Sequence, residues 1–263
     1  MKAVIALDLD QTMIYSERSA GALDGVETVW VEDYEGAPLS LMTAEAHRLL
    51  SELSELHHVV PVTTRTPEQL ARVRLPGVRT HAIAANGGVL LVDDVRDALW
   101  DRRVARELSG VVPASRVFAR VALEAPWVRT VRQVEDLFVY LVAQSRAEIP
   151  VAWLDELEDW ALERGWSLSV QGRKVYVVPG VLSKGAAAGR LGEVLGGPLL
   201  AAGDSVLDRS LLEQADFAVR PAHGELHDLQ WRVSGLVVTQ SSGAGAAEEV
   251  LRLLRDQAHA LTR

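Results

Sequence analysis

The sequence contains no cysteine among its 263 residues. Disulfides, thiolate zinc sites, iron–sulfur clusters and cysteine nucleophiles are therefore excluded. The chain also lacks an apolar run of the roughly 20 residues that a membrane-spanning helix needs. Its first apolar segment ends at Leu7 and is followed by the acids Asp8 and Asp10, which does not fit a secretory signal peptide. These absences predict a cytoplasmic protein with no membrane partner.

An excess of positive charge is also missing, since the formal net charge is -9 at pH 7. Phosphate backbones are bound by basic surfaces, so nucleic acid is not an expected partner. A small phosphorylated metabolite remains an expected partner, because it needs only a local positive site. With 48% hydrophobic residues, a chain of 263 residues is long enough for one large core and a smaller second one.

Both ends of the chain alternate buried strands with amphipathic helices. The predicted strands cover residues 2–7, 58–62, 78–85, 198–202, 216–219 and 236–239. The predicted helices begin at Thr43, Thr66, Ser183, Ser205 and Ala244. A hairpin turning at Glu35-Gly36 precedes the first helix. This alternation predicts an α/β fold with a doubly wound parallel sheet.

The middle of the chain has strands in adjacent pairs instead. The predicted elements there are strands at 128–133, 137–142, 167–171 and 174–178, with a helix at 149–163. This pattern predicts an α+β insert. We therefore predict a core domain of residues 1–87 and 180–263 and an inserted cap domain of residues 88–179. An insert at this point would lie over the strand ends, where open sheets bind ligands.

Acidic residues follow two of the predicted core strands. Asp8 and Asp10 lie two positions apart after the first strand, and Asp204 follows the strand at 198–202. Carboxylates this close repel one another unless a proton or a cation lies between them. Mg²⁺ is suited to this role because it prefers oxygen ligands. A pair of acids that caps a turn would explain Asp8 and Asp10 alone equally well.

Groups suited to binding phosphate lie at similar positions. Thr63 follows the second core strand, and its hydroxyl is free for a phosphoryl oxygen because Thr66 already fills the helix-capping role. Arg65 adds a planar cation near the same strand end. Lys184 lies in a first helical turn, where it opposes the helix dipole unless it meets anions. A solvated lysine is an equally good interpretation of Lys184 taken alone.

This ordered set of residues resembles the motifs of the haloacid dehalogenase (HAD) superfamily. The matching residues are Asp8, Asp10 and Thr12 in the first motif, Thr63 in the second, Lys184 in the third, and Gly203, Asp204 and Asp208 in the fourth. The segment with Asn86 and Gly87 resembles the Cof-type branch, whose members carry a large α+β cap. The segment TTRTPEQL is similar to the second motif of mannosyl-3-phosphoglycerate phosphatases, and some likeness extends to sucrose-phosphatase-like members.

The resemblance implies a Mg²⁺-dependent phosphohydrolase that acts on a small phosphomonoester, such as a sugar phosphate or a phosphoglycerate-like compound. It implies Asp8 as the nucleophile, Asp10 as the general acid and base, and Mg²⁺ held by Asp8, Asp204 and the Asp10 carbonyl. Thr63 and Lys184 would complete the phosphate site. The residues expected to support this site are Thr12, Thr64, Arg65, Asn86, Gly87, Gly203, Ser205 and Asp208.

Cap residues and departures from the family pattern leave alternatives open. Candidates for contacting a second anionic group are Arg129, Arg132 and Arg173, although surface arginines would look the same. The departures are Gln11 and Thr64, each in place of a usual glycine, and Leu207 in place of an asparagine that often helps to hold magnesium. The alternatives are a phosphosugar mutase or phosphotransferase of the same fold, and a non-catalytic binding protein.

Two further patterns are interpreted as structural. His223 and His227 flank a glutamate, but the spacing differs from that of zinc proteases, so we interpret them as solvated or capping residues. Gly243 and Gly245 lack the third glycine and the following strand of a dinucleotide site. We interpret this segment as a tight turn into the last helix.

Overall fold

The computed structural model describes residues 1–77, 79–122 and 125–263. The chain divides into two compact units. The first unit combines Met1–Asp97 with Ser183–Arg263, and the second consists of Ala98–Leu182. The first observed division lies ten residues after the predicted one, and the second lies three residues after its predicted position.

The secondary structure follows the predicted order. The strands, in chain order, are β1 (Val4–Leu7), β2 (Thr28–Tyr34), β3 (Ala37–Thr43), β4 (His58–Pro61), β5 (His81–Ala84), β6 (Val89–Val92), β7 (Val95–Arg96), β8 (Val128–Val134), β9 (Phe138–Ala143), β10 (Trp166–Gln171), β11 (Lys174–Pro179), β12 (Leu199–Ala202), β13 (Phe217–Arg220) and β14 (Leu236–Val238). The α-helices are α1 (Ala44–Leu56), α2 (Pro67–Leu70), α3 (Ala98–Leu108), α4 (Ala114–Val121), α5 (Val151–Leu162), α6 (Lys184–Leu195), α7 (Arg209–Gln214), α8 (Glu225–Asp228) and α9 (Ala244–Thr262). Short 3-10 helices cover Ala85–Gly87, Arg146–Glu148 and Val206–Asp208.

The central sheet of the first unit has five parallel strands in the order β14-β13-β12-β1-β4. All residues of β1 and β12 are buried, as expected for parallel strands covered on both faces. The chain runs to one side of β1 through β4 and to the other side through β12, β13 and β14. The order therefore reverses between β1 and β12, which is where open sheets bind ligands. The predicted doubly wound parallel sheet is confirmed.

Strand β5 differs from the prediction. The expected third core strand was residues 78–85, of which Val78 lies outside the described residues. β5 meets the edge of the central sheet through a parallel bridge between Val62 and Ile83. Its other edge pairs antiparallel with β6, which pairs with β7. Residues up to Asp97 therefore belong to the first unit, because an apolar strand follows the turn at Ala85–Gly87 and completes this sheet.

The helix starts of the first unit agree with the capping pattern. Thr43 caps α1 by accepting a hydrogen bond from the Ala46 amide at 3.0 Å. Thr66 and Gln69 form a reciprocal capping box around α2, although this helix is only four residues long. Ser183 caps α6, which places Lys184 in its first turn. Helix α9 begins after Gly243, as the tight-turn interpretation predicted.

The second unit is an antiparallel sheet of four strands in the order β10-β11-β9-β8. One face is apolar and buried, with Val139, Leu141, Val175 and Val177 at its centre. Helices α4 and α5 pack on this unit's strands. The two strand pairs and the intervening helix match the predicted elements. Helices α3 and α4 were not predicted.

Among the described residues, no helix is both long enough and apolar enough to cross a membrane.

Candidate active site

Three buried carboxylates meet at the carboxyl ends of β1 and β12. Asp8 directly follows β1, and Asp204 follows β12 after Gly203. Asp208 ends the 3-10 turn that comes next in the chain. One carboxylate oxygen from each of the three residues lies within 4.8 Å of the others. The strand-end pattern thus correctly indicated that Asp8 and Asp204 lie close together.

Lys184 lies among these acids. Its Nζ donates to Asp8 Oδ1 at 2.5 Å and to Asp208 Oδ1 at 2.6 Å. The lysine is only 1% exposed, so these carboxylates are its ionic environment. The solvated-lysine interpretation is therefore wrong, because the first turn of α6 points into the carboxyl end of the sheet.

The second carboxylate oxygen of Asp208 is held by Ser205. Asp208 Oδ2 accepts hydrogen bonds from the Ser205 amide at 2.9 Å and the Ser205 hydroxyl at 2.8 Å. Gly203 allows this approach, since a Cβ at that position would lie 2.4 Å from the Asp208 Cγ. The predicted supporting residues Gly203, Ser205 and Asp208 therefore form one arrangement that orients Lys184.

The electrostatics of the site favour a cation. Burial raises the pKa of Asp8 to about 7; Asp208 and Asp10 act in the same direction, and Lys184 acts against them. Burial and the Asp8 and Asp208 charges also raise the pKa of Asp204 well above its usual range. For Lys184, burial would lower the pKa, but the two carboxylates outweigh burial and raise it.

The donor set fits a small divalent cation. When all three acids are ionised, Lys184 compensates one charge and leaves two negative charges in a buried site. A divalent ion with oxygen ligands would compensate both. This side-chain cluster contains Asp208, whereas the predicted metal ligands were Asp8, Asp10 and Asp204.

The Asp10 carboxylate is held by Arg65. Arg65 Nε donates to Asp10 Oδ2 and Arg65 Nη2 donates to Asp10 Oδ1, each at 2.8 Å. The third nitrogen of the guanidinium, Nη1, donates to Glu32 Oε1 at 2.8 Å. Glu32 is fully buried, and Ser40 donates to its other oxygen at 2.7 Å. Arg65 therefore orients Asp10 through a planar fork anchored on the β2–β3 hairpin.

Glu32 was not predicted as a site residue. In an undisturbed strand, neighbouring side chains point to opposite faces. The pairing of β2 with β3 is irregular between Trp30 and Asp33, and both Val31 and Glu32 are buried. A bulge of this kind cannot be read from the alternation of residue types. The available signal was a glutamate directly after the apolar residues 29–31.

Replacing Arg65 with methionine is expected to destabilise the protein by about 2–3 kcal/mol, because it leaves the buried Glu32 without its nearest cation. The double variant Arg65→Met/Glu32→Met should recover most of this loss, since both charges are then removed. Urea unfolding measures the effect. Arg74→Met is the matched control, because its ion pair with Asp33 is exposed and should contribute little. Equal effects of Arg65→Met and Arg74→Met would refute the anchoring role of Glu32.

The second-motif residues lie next to β1. Thr63 follows β4, is fully buried, and its hydroxyl accepts a hydrogen bond from the Arg65 amide at 3.1 Å. Thr64 is also buried. The Asn86 amide donates to the Thr63 carbonyl at 2.9 Å. A phosphate-binding role for Thr63 and Thr64 stays a prediction.

Asn86 and Gly87 support the start of α6. Both have positive φ, 56° for Asn86 and 92° for Gly87. A Cβ at Gly87 would lie 2.4 Å from the carbonyl oxygen of Ser183. Gly87 thus permits the close approach of the residue that caps the Lys184 helix.

Two further motif positions, Thr12 and Leu207, contribute no side-chain hydrogen bond to the site among the described residues. Thr12 is fully buried, and its hydroxyl has no hydrogen-bonding partner within residues 1–77, 79–122 and 125–263. Leu207 is buried beside Asp208 in the 3-10 turn. Its side chain has no oxygen that could bind a cation, so the carboxylates of the cluster remain the candidate metal ligands.

The three candidate cap arginines belong to the second unit. Arg129 and Arg132 are exposed on β8, and Arg132 lies opposite Tyr140 of β9. Arg173 lies in the β10–β11 turn and donates to the Gln144 carbonyl at 3.3 Å. Their role in substrate binding stays a prediction.

His223 lies at the core site, which the sequence interpretation did not predict. Its Nε2 is 2.7 Å from the carbonyl oxygen of Gln11, directly after Asp10. Tyr15 packs edge-on against the His223 ring, with 5.9 Å between centroids. His223 is therefore not a solvated residue, because it makes long-range backbone contacts, one of them with the Gly243 amide at the start of α9. His227 is exposed, as the solvated interpretation expected.

No protein-family model matches the sequence, and no curated protein matches it. Solved structures share its fold. The sucrose-phosphatase from Synechocystis sp. PCC6803, solved with sucrose and phosphate, is 18% identical with a TM-score of 0.67, covering 98% of both chains. A trehalose-6-phosphate phosphatase related protein is 19% identical with a TM-score of 0.56, covering 98% of this chain and 99% of its own.

A phosphatase of the HAD enzyme superfamily from Bacteroides thetaiotaomicron is 17% identical with a TM-score of 0.53, covering 98% of this chain and 96% of its own. These likenesses extend over nearly the whole chain, so both units are included. The chain therefore has the fold of the HAD superfamily, whose sequence motifs it resembles.

Proposed function

We propose that this chain, which has the HAD fold, is a magnesium-dependent phosphohydrolase that releases phosphate from a small phosphomonoester. The observation that carries the proposal is the buried cluster at the sheet's switch point. It combines a carboxylate after β1, a lysine bonded to that carboxylate, and two further acids within 4.8 Å. Nothing in the packing of a binding protein requires this concentration of buried charge, which is costly without a function.

Asp8 is the proposed nucleophile. Its carboxylate would attack phosphorus and form an aspartyl-phosphate, which water then hydrolyses. Lys184 holds Asp8 Oδ1 at 2.5 Å and favours the ionised form that attack requires. When bound by Asp8, Asp204 and the Asp10 carbonyl, Mg²⁺ would supply charge stabilisation for the transferring phosphoryl group.

Asp10 is the proposed general acid and base. It would protonate the leaving alkoxide and later take a proton from the attacking water. The fork of Arg65 restricts the Asp10 side chain to one orientation. About half of the Asp10 side chain is exposed, so it is accessible to a substrate oxygen.

The proposed substrate class is a sugar phosphate or a phosphoglycerate-like compound. Support comes from the fold neighbours, which include a sucrose-phosphatase solved with sucrose and phosphate. The second unit also has a polar sheet face suited to hydroxyl groups. By strand register, this face includes Arg132, Tyr140, Ser169, Lys174 and Tyr176.

Phosphate release from a panel of sugar phosphates, phosphoglycerates and nucleotides tests the proposal. We expect turnover of at least one sugar phosphate with Mg²⁺, and loss of that turnover when the metal is removed by EDTA and its return when Mg²⁺ is added back. Release that requires a sugar bisphosphate activator would favour the mutase alternative. A folded protein with no release from any compound would contradict the proposal.

A further inference from the structure

The loop after Asp10 contains a residue in an unfavourable backbone conformation. Gln11 has a φ of 62°, in the left-handed region that residues with a side chain rarely adopt. The chain beyond it is tightly closed, since the amides of Thr12, Met13 and Ile14 all donate to the Leu9 carbonyl at 2.8–3.2 Å. The conformation of Gln11 therefore depends on contacts that hold it in place.

Those contacts converge on the carbonyl oxygen of Gln11. His223 Nε2 lies 2.7 Å from it, and the Tyr15 hydroxyl donates to it at 3.0 Å. The Gln11 amide donates to the Ile14 carbonyl at 2.9 Å. His223 is 212 residues away in sequence, so this bond joins two separate loops of the first unit.

The partners of His223 determine which ring nitrogen carries the proton. The Gly243 amide donates to Nδ1 at 3.1 Å, so Nδ1 must offer a lone pair. Nε2 faces a carbonyl oxygen, so it must carry the hydrogen. Burial lowers the pKa of His223 and outweighs the Gln11 carbonyl, which raises it, so the neutral ring is favoured. Both ring nitrogens are thus committed to backbone groups.

We propose that His223 is a positioning residue for Asp10, acting through the carbonyl of Gln11. This inference rests on the proposed function for its kinetic consequence. If Gln11 returned to negative φ, the residues after it could not follow, because they are bonded to Leu9. The Asp10–Gln11 peptide plane would rotate instead. That rotation would turn the Asp10 carbonyl, which lies in this plane, relative to Asp8.

Two substitutions separate this role from a purely structural one. His223→Gln keeps a donor near the position of Nε2 and loses the acceptor for the Gly243 amide. His223→Asn keeps an acceptor near Nδ1 and loses the donor to Gln11. If His223 only holds the start of α9, His223→Asn should retain more activity than His223→Gln. If His223 positions Asp10, His223→Gln should retain more activity than His223→Asn.

We expect His223→Asn to lower kcat by about tenfold or more with little change in KM, because a turned Asp10 carbonyl disturbs the arrangement around Asp8 on which the chemical step depends. His223→Gln should retain most of kcat. Adding Gln11→Gly to His223→Asn should restore part of the loss, because glycine adopts positive φ without strain. Equal losses in both His223 variants, or a larger loss in the glutamine variant, would overturn the inference while leaving the phosphatase proposal intact.

Two measurements do not depend on activity. In ¹⁵N-histidine-labelled protein near pH 7, His223 should show a protonated Nε2 and an unprotonated Nδ1, and the opposite tautomer would overturn the inference. In thermal unfolding, His223→Asn should lower the Tm less in the Gln11→Gly background than in the native protein, and equal losses would overturn it. If native protein releases no phosphate, the proposed function fails and these two results decide whether His223 holds Gln11.

Discussion

Replacing Asp8 with asparagine is expected to reduce phosphate release by at least about 10⁴-fold, because an amide cannot act as the nucleophile. The substitution is nearly isosteric, and its oxygen can still accept the hydrogen bond that Lys184 donates to Asp8 Oδ1 at 2.5 Å. The fold should therefore be retained. Phosphate release under saturating substrate and Mg²⁺ measures the effect.

Although Asp8→Asn should abolish phosphate release, it should not lower the stability of the protein. Burial raises the pKa of Asp8 to about 7, and the nearby charges of Asp208 and Asp10 act in the same direction. Removing its charge relieves repulsion, so Asp8→Asn should unfold at the same or a higher temperature when Mg²⁺ is absent. Asp159→Asn, an exposed position on α5, is the control and should change neither activity nor stability. Turnover retained by Asp8→Asn would show that another group carries the chemistry.

Replacing Lys184 with methionine is expected to destabilise the metal-free protein by about 3–5 kcal/mol at pH 8, because it leaves three buried carboxylates without their cation. The double variant Lys184→Met/Asp208→Asn should recover much of this loss. Asparagine removes a charge and can still accept the hydrogen bonds that Ser205 donates to Asp208. Urea unfolding without metal measures both.

This destabilisation should depend on pH. The pKa of Asp8 is raised in the folded protein from 3.8 to about 7, and the pKa of Asp204 is raised too. The folded state therefore binds more protons than the unfolded state between about pH 4 and pH 7, and stability falls as pH rises through that range. Without Lys184 the fall should be larger and should extend to higher pH, since the lysine lowers the pKa of Asp8.

Magnesium should reverse part of the loss in the Lys184→Met variant at pH 8. An ion that binds only the folded state at 100 times its Kd stabilises by about 2.7 kcal/mol. The gain should shrink at pH 5, where protons compete for the carboxylates. A destabilisation that is independent of both pH and Mg²⁺ would show that Lys184 contributes packing rather than charge.

Much of the core could be predicted because its signals are local. The strands β1 and β12 are continuous apolar runs that end on an acid, and Thr43, Thr66 and Ser183 cap the helices that follow. In a parallel sheet, strand ends of this kind meet at one edge. Asp8, Asp204 and Lys184 therefore could be brought together by argument from the sequence.

The remaining site residues depend on contacts that no local pattern encodes. Glu32 is buried through an irregular strand pairing, and the same glutamate in a regular strand would face the other way. His223 is placed by a loop whose partners, Gln11 and Gly243, are distant in sequence. β6 was assigned to the insert because an apolar strand after a turn has no sequence feature that selects its partner sheet.

The order of the central sheet has a consequence for biosynthesis. β1 requires β12 as its neighbour, and Lys184 meets Asp8 across 176 residues of chain. The second unit, Ala98–Leu182, is continuous and leaves the ribosome before β12 does. Its sheet can therefore form while Asp8 still has no lysine partner. The charged centre cannot form until Lys184 has been made, and a nascent chain halted before residue 184 carries the acids of the first motif without the cation that compensates them.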